Sequence, residues 1–507
     1  MNVTKNTVRN VKWGLIYQGL LLLFPFIIRT IVIRFLGEDY LGLSSLFTSI
    51  LNLMNVAELG FSSAIIYCMY EPIATSNQAV VRALLSFYRK IYQTIGCIVA
   101  VIGIAIAPFL PYFIKGEYPA DINIYVVYFI YLINTVLGYF LFSYKAALIT
   151  AYQRNDVINK NSIIVNVLQY CLQILVLFLF RDYHIYLIVL PIATIATNLF
   201  NHFSSKRLFP DCYCEGKISK KERASIKKQV KGILVSKICN MLRNSLANII
   251  ISSFIGLTSL AMYSNYYFIM TAVHGILTIV GVSMKAGVGL NLVTETKENN
   301  YKTFKRLTFM YLWGAGWFAC CMLSLFQPFM LLWTGKTELV FANHIMILFP
   351  MYFFVLCLQD MRNVFTDAAG LHWEIRYRAL WESIAHVLLS FVLGYFYGVF
   401  GILLATIITY LAINLTYGTK ILFRYYFTEQ SCLGYLGLQT KYTLVTVAAA
   451  VVCYLLCELL PFGGIVNLLL RAIVCVFVPN VIFLLCYFKD EQFIDAKKFV
   501  LHRVLKK

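Results

Sequence analysis

The sequence predicts an all-α polytopic membrane protein. About fourteen transmembrane helices are expected, as two pseudo-symmetric six-helix bundles followed by two additional C-terminal helices. Three observations carry this. First, the 507 residues are 60% hydrophobic and only 13% charged, whereas a soluble chain carries about 25% charged residues. Second, apolar runs long enough to cross a bilayer at about 1.5 Å per residue recur along the whole chain. Third, the basic residues fall mostly in alternate loops, the pattern that orients a chain in a membrane. Helices are the expected element because a spanning segment must satisfy its backbone hydrogen bonds internally.

In chain order, spans are expected near 13–36, 43–68, 90–114, 122–149, 161–180, 184–203 and 232–256, then near 260–284, 307–333, 340–362, 379–398, 401–423, 442–460 and 466–488. The first follows a basic lead, Lys5, Arg9 and Lys12, and runs to Phe35 without an A-x-A-like cleavage site, so it reads as a retained span. The loops on one side hold only Lys115, Arg181 and Lys336. Those on the other hold most of the Lys and Arg, including the stretch Lys206 to Lys231 and the tail from Lys489. The rule that basic loops stay inside then puts both termini in the cytoplasm.

The net charge of +20 is therefore a matter of topology and anionic lipid headgroups, and no nucleic-acid partner is expected. Most of the 14 Cys lie within apolar runs, as do Cys97, Cys171, Cys320, Cys321 and Cys486, and read as small buried hydrophobes. Cys212 and Cys214 have C-x-C spacing but no second pair to complete a zinc site. No cofactor is expected.

The longest polar stretch, Ser204 to Lys231, follows six spans and marks the boundary between two halves. The expected organisation is a bundle over 1–203, a basic cytoplasmic linker over 204–231 and a second bundle over 232–424. Two further spans occupy 425–488 and a basic tail 489–507. One constant offset aligns Val11-Lys12 with Val230-Lys231 and Phe35-Leu36-Gly37 with Phe254-Ile255-Gly256, which suggests a parallel repeat.

The seventh span is the most informative. On a helix, Ser236, Lys237, Asn240, Arg243, Asn244, Ala247 and Asn248 form one polar stripe. An Arg near the membrane centre costs roughly 2.5–3.5 kcal/mol on insertion scales, so the stripe is expected to face protein or a wet cavity. Arg243 lies roughly 16 Å in along the helix axis, beyond easy snorkelling. Its guanidinium suits bidentate capture of phosphate oxygens. Lys237 sits about one turn from the surface and can snorkel or line the cavity. Asn240, Asn244 and Asn248 can bind sugar hydroxyls or join helices.

In the first span Arg29 shares a face with Gln18 and Pro25, and either snorkels or joins this cationic cavity. In the second, Thr48, Asn52, Asn55, Glu58 and Ser62 form another polar stripe. Glu58 is the one acidic residue well inside a span of the first half. It reads either as an ion-coupling carboxylate or as a structural partner for a cation. His274 in the eighth span is a proton-relay candidate on a face with Tyr263, Tyr267, Thr271 and Thr278. Asp360 and Arg362 are expected to form a structural ion pair, and Arg471 to anchor at the outer interface.

No G-x-x-x-x-G-K-[ST], H-E-x-x-H or D-x-D loop occurs, and no segment is long enough to fold as a soluble catalytic domain, so no enzyme is expected. At this point a resemblance is visible. LGLSSLFTSILNLMNVAELGFSSAI at 41–65, AALITAYQRNDVINK at 146–160, AMYSNYYFIM at 261–270 and AAGLHWEIRYRAL at 368–380 are similar to segments of bacterial polysaccharide-repeat flippases. These are the oligosaccharide exporters of the multidrug/oligosaccharidyl-lipid/polysaccharide superfamily. The resemblance implies two bundles around a V-shaped cavity and alternating access. It implies passage of an undecaprenyl-pyrophosphate-linked oligosaccharide from the inner to the outer leaflet of the bacterial plasma membrane, with coupling to an ion gradient. It also implies membrane lipids, a polysaccharide polymerase and glycosyltransferases as partners. The choice of Arg29, Lys237, Arg243, Asn240, Asn244 and Asn248 as cavity residues comes from the stripes, as does that of Glu58 for coupling. A multidrug or metabolite antiporter and a lipid II flippase are the competing readings. The first would want an acidic or aromatic cavity, against the cations found within the spans.

Overall fold

The computed structural model describes residues 3–55, 61–218, 226, 239, 241–243, 245–371, 374–461 and 463–503. Among them every regular element is helical and no strand occurs. The chain divides into two compact units, Met1–Ala261 and Met262–Lys507.

The first unit contains α1 (Val3–Phe35), α2 (Glu38–Met54), α3 (Phe61–Ala74), α4 (Gln78–Ile106), α5 (Ile124–Phe140), α6 (Tyr144–Ala151), α7 (Asn155–Leu179) and α8 (Tyr183–Leu208). Residues 245–254 add a further helical stretch. Side-chain caps set several starts. Asn77 accepts from the Val80 amide, Asn123 from Tyr125 and Val126, and Asp182 from His184 and Ile185, each satisfying donors that the first turn leaves unpaired. α7 packs between α1 and α8, and α5 touches α2, α4 and α8. The seam is filled by Leu43, Leu46, Phe47, Leu84, Leu85, Val127 and Tyr128, all fully buried. Outward faces are also apolar. Leu168, Leu172, Leu175 and Leu179 run exposed down α7 at helical spacing, and Ile98, Val101, Ile102 and Ile104 do so on α4. Such stripes would be costly in water and are at home against acyl chains.

The second unit takes up α9 (Leu257–Thr294) from Met262 onward, then α10 (Lys297–Thr334), α11 (Asn343–Met346), α12 (Leu348–Ala368), α13 (Arg376–Thr409), α14 (Thr416–Tyr425), α15 (Cys432–Glu458), α16 (Gly464–Tyr487) and α17 (Glu491–Arg503). α10 is its hub, packed against α12, α15, α16 and α17. α10 starts at the Thr296 cap and stops at Gly335, whose left-handed φ of 68° ends the helix. α15 and α16, the two spans expected beyond the second bundle, lie along α10 and against each other.

α13 contains a chain reversal that its hydrogen-bond pattern conceals. Gly398 has φ 58° and ψ −137°, outside the helical region. Beyond it, His386 lies 3.0 Å from Thr406, and Asn414 Nδ2 donates to Glu382 Oε2 at 2.7 Å. A Cβ on Gly401 would collide with the Leu393 carbonyl, although a straight helix would hold those residues about 12 Å apart. The segment is therefore a hairpin of two antiparallel spans, as expected from 379–398 and 401–423.

Among the described residues eight helices are long and apolar enough to cross a membrane, and two bent pairs, Ile124–Phe140 with Tyr144–Ala151 and Thr337–Met346 with Leu348–Ala368, raise this to ten. The Arg376–Tyr425 segment, counted once there, supplies two. The expected spans at 43–68 and 232–256 run partly outside the described residues.

The repeat has a structural counterpart. The amides of Leu36 and Gly37 both bond the Val32 carbonyl, and those of Ile255 and Gly256 both bond Ile251. Gly37 and Gly256 follow with φ of 121° and 132° and lead into α2 and α9. The equivalent residues Asp39 and Thr258, 219 positions apart, bond each other at 2.7 Å.

Three sequence expectations are corrected. Arg471, expected to anchor at the outer interface, turns inward. It is buried, pairs with Glu458 at 3.0 Å and bonds Asn467 at 3.1 Å, because Glu458 of α15 lies across the helix seam. Asp360 and Arg362 do not pair, since residues two apart on a helix face different sides. Cys97, Cys171 and Cys486 are exposed rather than buried, on outer apolar faces. Among the described residues no disulfide occurs.

Candidate functional site

Four of the residues singled out in the sequence, Glu58, Lys237, Asn240 and Asn244, lie outside the described residues. The others can be located within the first unit. Arg29 of α1 is half-buried, and its guanidinium interacts electrostatically with Tyr186 of α8. Tyr186 stacks on Tyr183 with centroids 5.8 Å apart, and the Tyr183 hydroxyl donates to the Tyr40 carbonyl at 3.1 Å. Tyr131 donates to Ser44 Oγ at 2.8 Å. Arg29 thus borders a layer of hydroxyls drawn from Ser44 of α2, Tyr131 of α5 and Tyr183 and Tyr186 of α8. Arg34, one turn further, is exposed.

Arg243 is half-buried. Asn248, one turn beyond, donates from Nδ2 to Ser49 Oγ of α2 at 2.9 Å. That bond ties the 245–254 stretch to α2, so Asn248 joins helices in the manner of amides within membranes.

The same unit carries an open cavity of about 470 Å³. Its walls carry Asn55, Ser62, Asn134, Thr135, Ser143, Thr150 and Thr194, together with Tyr88, Tyr92 and Tyr139. No charged side chain is among its described lining residues. Asn55 and Ser62 belong to the polar stripe of the second span and flank the position of Glu58. Tyr139 donates to Asn55 Oδ1 at 2.8 Å, and Thr194 to Asn134 Oδ1 at 2.6 Å. Tyr92 sits edge-on to Tyr88, centroids 4.5 Å apart, and tilts against Tyr139 at 5.6 Å. Amides and hydroxyls beside aromatic faces can hydrogen-bond hydroxyls and stack on an apolar ring face at once.

The second unit carries two polar clusters. In one, Asp360 Oδ2 lies 2.9 Å from His274 Nε2 and accepts from the Tyr311 hydroxyl at 2.6 Å. In the other, the fully buried Arg362 donates from Nη2 to Asn414 Oδ1 at 2.6 Å and to Asn363 Oδ1 at 2.7 Å. Its Nη1 bonds the Asn414 carbonyl, and Arg378 Nη1 shares Asn414 Oδ1. Asn414 lies in a π-helical turn, Tyr410–Leu415, where the altered i→i+5 pattern frees carbonyls for side-chain partners.

With this geometry in hand, comparison with known proteins is informative. The family model described as polysaccharide biosynthesis protein matches residues 7–284, more than half of the chain. The chain belongs to this family. None of the curated proteins compared matches the chain. Among solved structures it is similar to the lipid II flippase MurJ in its inward closed conformation. The TM-score is 0.69 at 12% identity, over 95% of this chain and 99% of that one. It is also similar to the inward-facing conformation of a multidrug resistance MATE family transporter of the MOP superfamily, with a TM-score of 0.63 at 12% identity over 79% and 94%. A MATE structure in the bent conformation gives 0.52 at 14% identity over 82% and 95%. The chain thus shares the fold of these transporters, and it is a multi-pass membrane protein.

The sequence reading missed the cavity and the Arg362 cluster. Tyr88, Tyr92 and Tyr139 sit in spans too uniformly apolar to raise a polar stripe. Asn414 is a lone amide in an apolar run, and its partners lie on other helices. One signal was available: Asp360 and Arg362, two apart, had to seek different partners.

Proposed function

We propose that this chain is a flippase that carries undecaprenyl-pyrophosphate-linked oligosaccharide repeat units from the inner to the outer leaflet of the bacterial plasma membrane. It would do so by alternating access, for assembly of O-antigen, capsule or exopolysaccharide. The family membership supplies the process, and the MOP fold supplies a transporter rather than an enzyme. The observation that carries the substrate class is the cavity of the first unit, lined by amides, hydroxyls and three tyrosines without a formal charge among its described residues. That lining suits a neutral, hydroxyl-rich glycan. An extruder of organic cations would instead rely on carboxylates, and none is among the described lining residues.

The pyrophosphate head needs cations, and Arg29, Lys237 and Arg243 are the candidates within spans, with Asn240, Asn244 and Asn248 beside them. Coupling to an ion gradient belongs to the same reading, with Glu58 next to the cavity stripe as the sequence candidate. Both termini would be cytoplasmic, and a polymerase would take the product on the far side.

The test is reconstitution of the purified protein in vesicles with a fluorescent lipid-linked oligosaccharide in both leaflets. Protein-dependent loss of protection from a membrane-impermeant glycan-modifying enzyme is expected. Vesicles whose inner-leaflet pool stays protected would overturn the proposal. Lipid II carried equally well would move it to the near neighbour.

A further inference from the structure

The geometry points to a proton-binding site in the second unit, built from His274 of α9, Asp360 of α12 and Tyr311 of α10. Only its use in transport rests on the flippase reading; the binding itself does not. Asp360 is a carboxylate set within a span, where an isolated charge is costly and a titrating one is useful. It is held by a ring nitrogen at 2.9 Å and a phenol hydroxyl at 2.6 Å, both directed to Oδ2. The side chains of His274 and Asp360 are 21% and 18% exposed, so the pair is sheltered without being sealed.

The groups around it are few. α9 contributes His274 and α10 contributes Tyr311, whose phenol feels Asp360 and Cys357. α12 itself contributes Cys357 one turn before and Arg362 on another face. Beyond Arg362 stand Arg378 and Glu382 of α13 and Tyr435 of α15. Arg362 feels Asp360 electrostatically but gives its hydrogen bonds to Asn414 and Asn363, so the cation in direct contact with Asp360 is the imidazolium of His274.

The proton balance is simple. In the empty state neutral His274 donates its Nε2–H to the Asp360 carboxylate, and the pair carries −1. One proton adds to the Nδ1 lone pair, giving an imidazolium–carboxylate pair of net charge zero. No other bond changes. A site that is neutral when loaded and charged when empty can bias the packing of α9 on α12 according to pH, and it lets a gradient drive a conformational cycle. The donor set selects a proton over sodium. A hard cation asks for six or so oxygen ligands, whereas this site offers one carboxylate, one phenol oxygen, an imidazole nitrogen and a thiol.

The test uses the full-length protein in lipid nanodiscs. Difference titration of wild type against His274→Gln is expected to reveal about one proton per chain missing between about pH 5 and about pH 8. Asp360→Asn should shift the remaining uptake and flatten the pH dependence of the melting temperature. Tyr311→Phe, which keeps the ring and removes only one donor, should move that titration without abolishing it. If Asp360→Asn does not fold, the other two variants decide. Matching titration curves for wild type and His274→Gln would overturn the site. So would stabilisation by sodium chloride over choline chloride that Asp360→Asn removes, which would make it a sodium site. In vesicles, proton uptake with no movement of lipid-linked oligosaccharide by wild type would overturn the flippase reading and leave the proton site standing.

Discussion

The residue that best shows the cost of polar groups in this molecule is Arg362. A guanidinium with no exposed surface is tolerable only when most of its donors are met; Asn414 and Asn363 accept from both Nη atoms, while Nε is left without a partner among the described residues. The fit leaves no room beside it, since a Cβ on Gly418 would strike the guanidinium. Gly418→Ala should therefore destabilise the second unit by about 1–3 kcal/mol, read as a lower melting temperature in detergent. Unchanged melting would mean the guanidinium has slack. Arg243 offers a different test, of function rather than stability. Arg243→Ala should abolish polymer export while membrane insertion persists, and Arg243→Lys should export only in part, because a point charge lacks the guanidinium fork. Normal export by both variants would remove Arg243 from the substrate path.

At the scale of elements, the helices follow from composition, but their ends and reversals follow from single residues. Gly398 turns what would be one long helix back on itself, in a backbone conformation that L side chains rarely adopt. Gly398→Ala should cost about 1–3 kcal/mol and increase protease sensitivity at the reversal within α13; wild-type resistance would show that the reversal does not depend on it. The loop charges and apolar runs anticipated two spans here. The seventh span was legible as a polar stripe, yet the Asn248 bond to Ser49 shows that one of its amides is spent on joining helices. Helical periodicity assigns a residue to a face and is silent on what that face meets.

For the whole molecule, the paired turns at Gly37 and Gly256 and the bond between Asp39 and Thr258 give the repeat a physical basis. With Glu58 proposed in one half and the His274–Asp360 pair in the other, the pH response of the proposed transport would have more than one origin. Glu58→Gln is expected to change the pH dependence of export, and the change should add to that of Asp360→Asn if the two carboxylates act independently. An unchanged pH profile in Glu58→Gln would return that residue to a structural role.

By itself the sequence determined what depends on the solvent. Long apolar runs, alternate basic loops and the absence of nucleotide or metal motifs are enough to specify a helical multi-pass protein made of two like halves, because lipid forbids most alternatives. The tertiary structure alone decided which polar side chains meet. Asp360 turned from its neighbour Arg362 to His274 and Tyr311, Arg471 turned inward to Glu458, and three tyrosines from two helices lined an open cavity. Each of these partnerships joins residues far apart in the chain, and a buried donor or acceptor pairs with whatever the packing brings within about 3 Å.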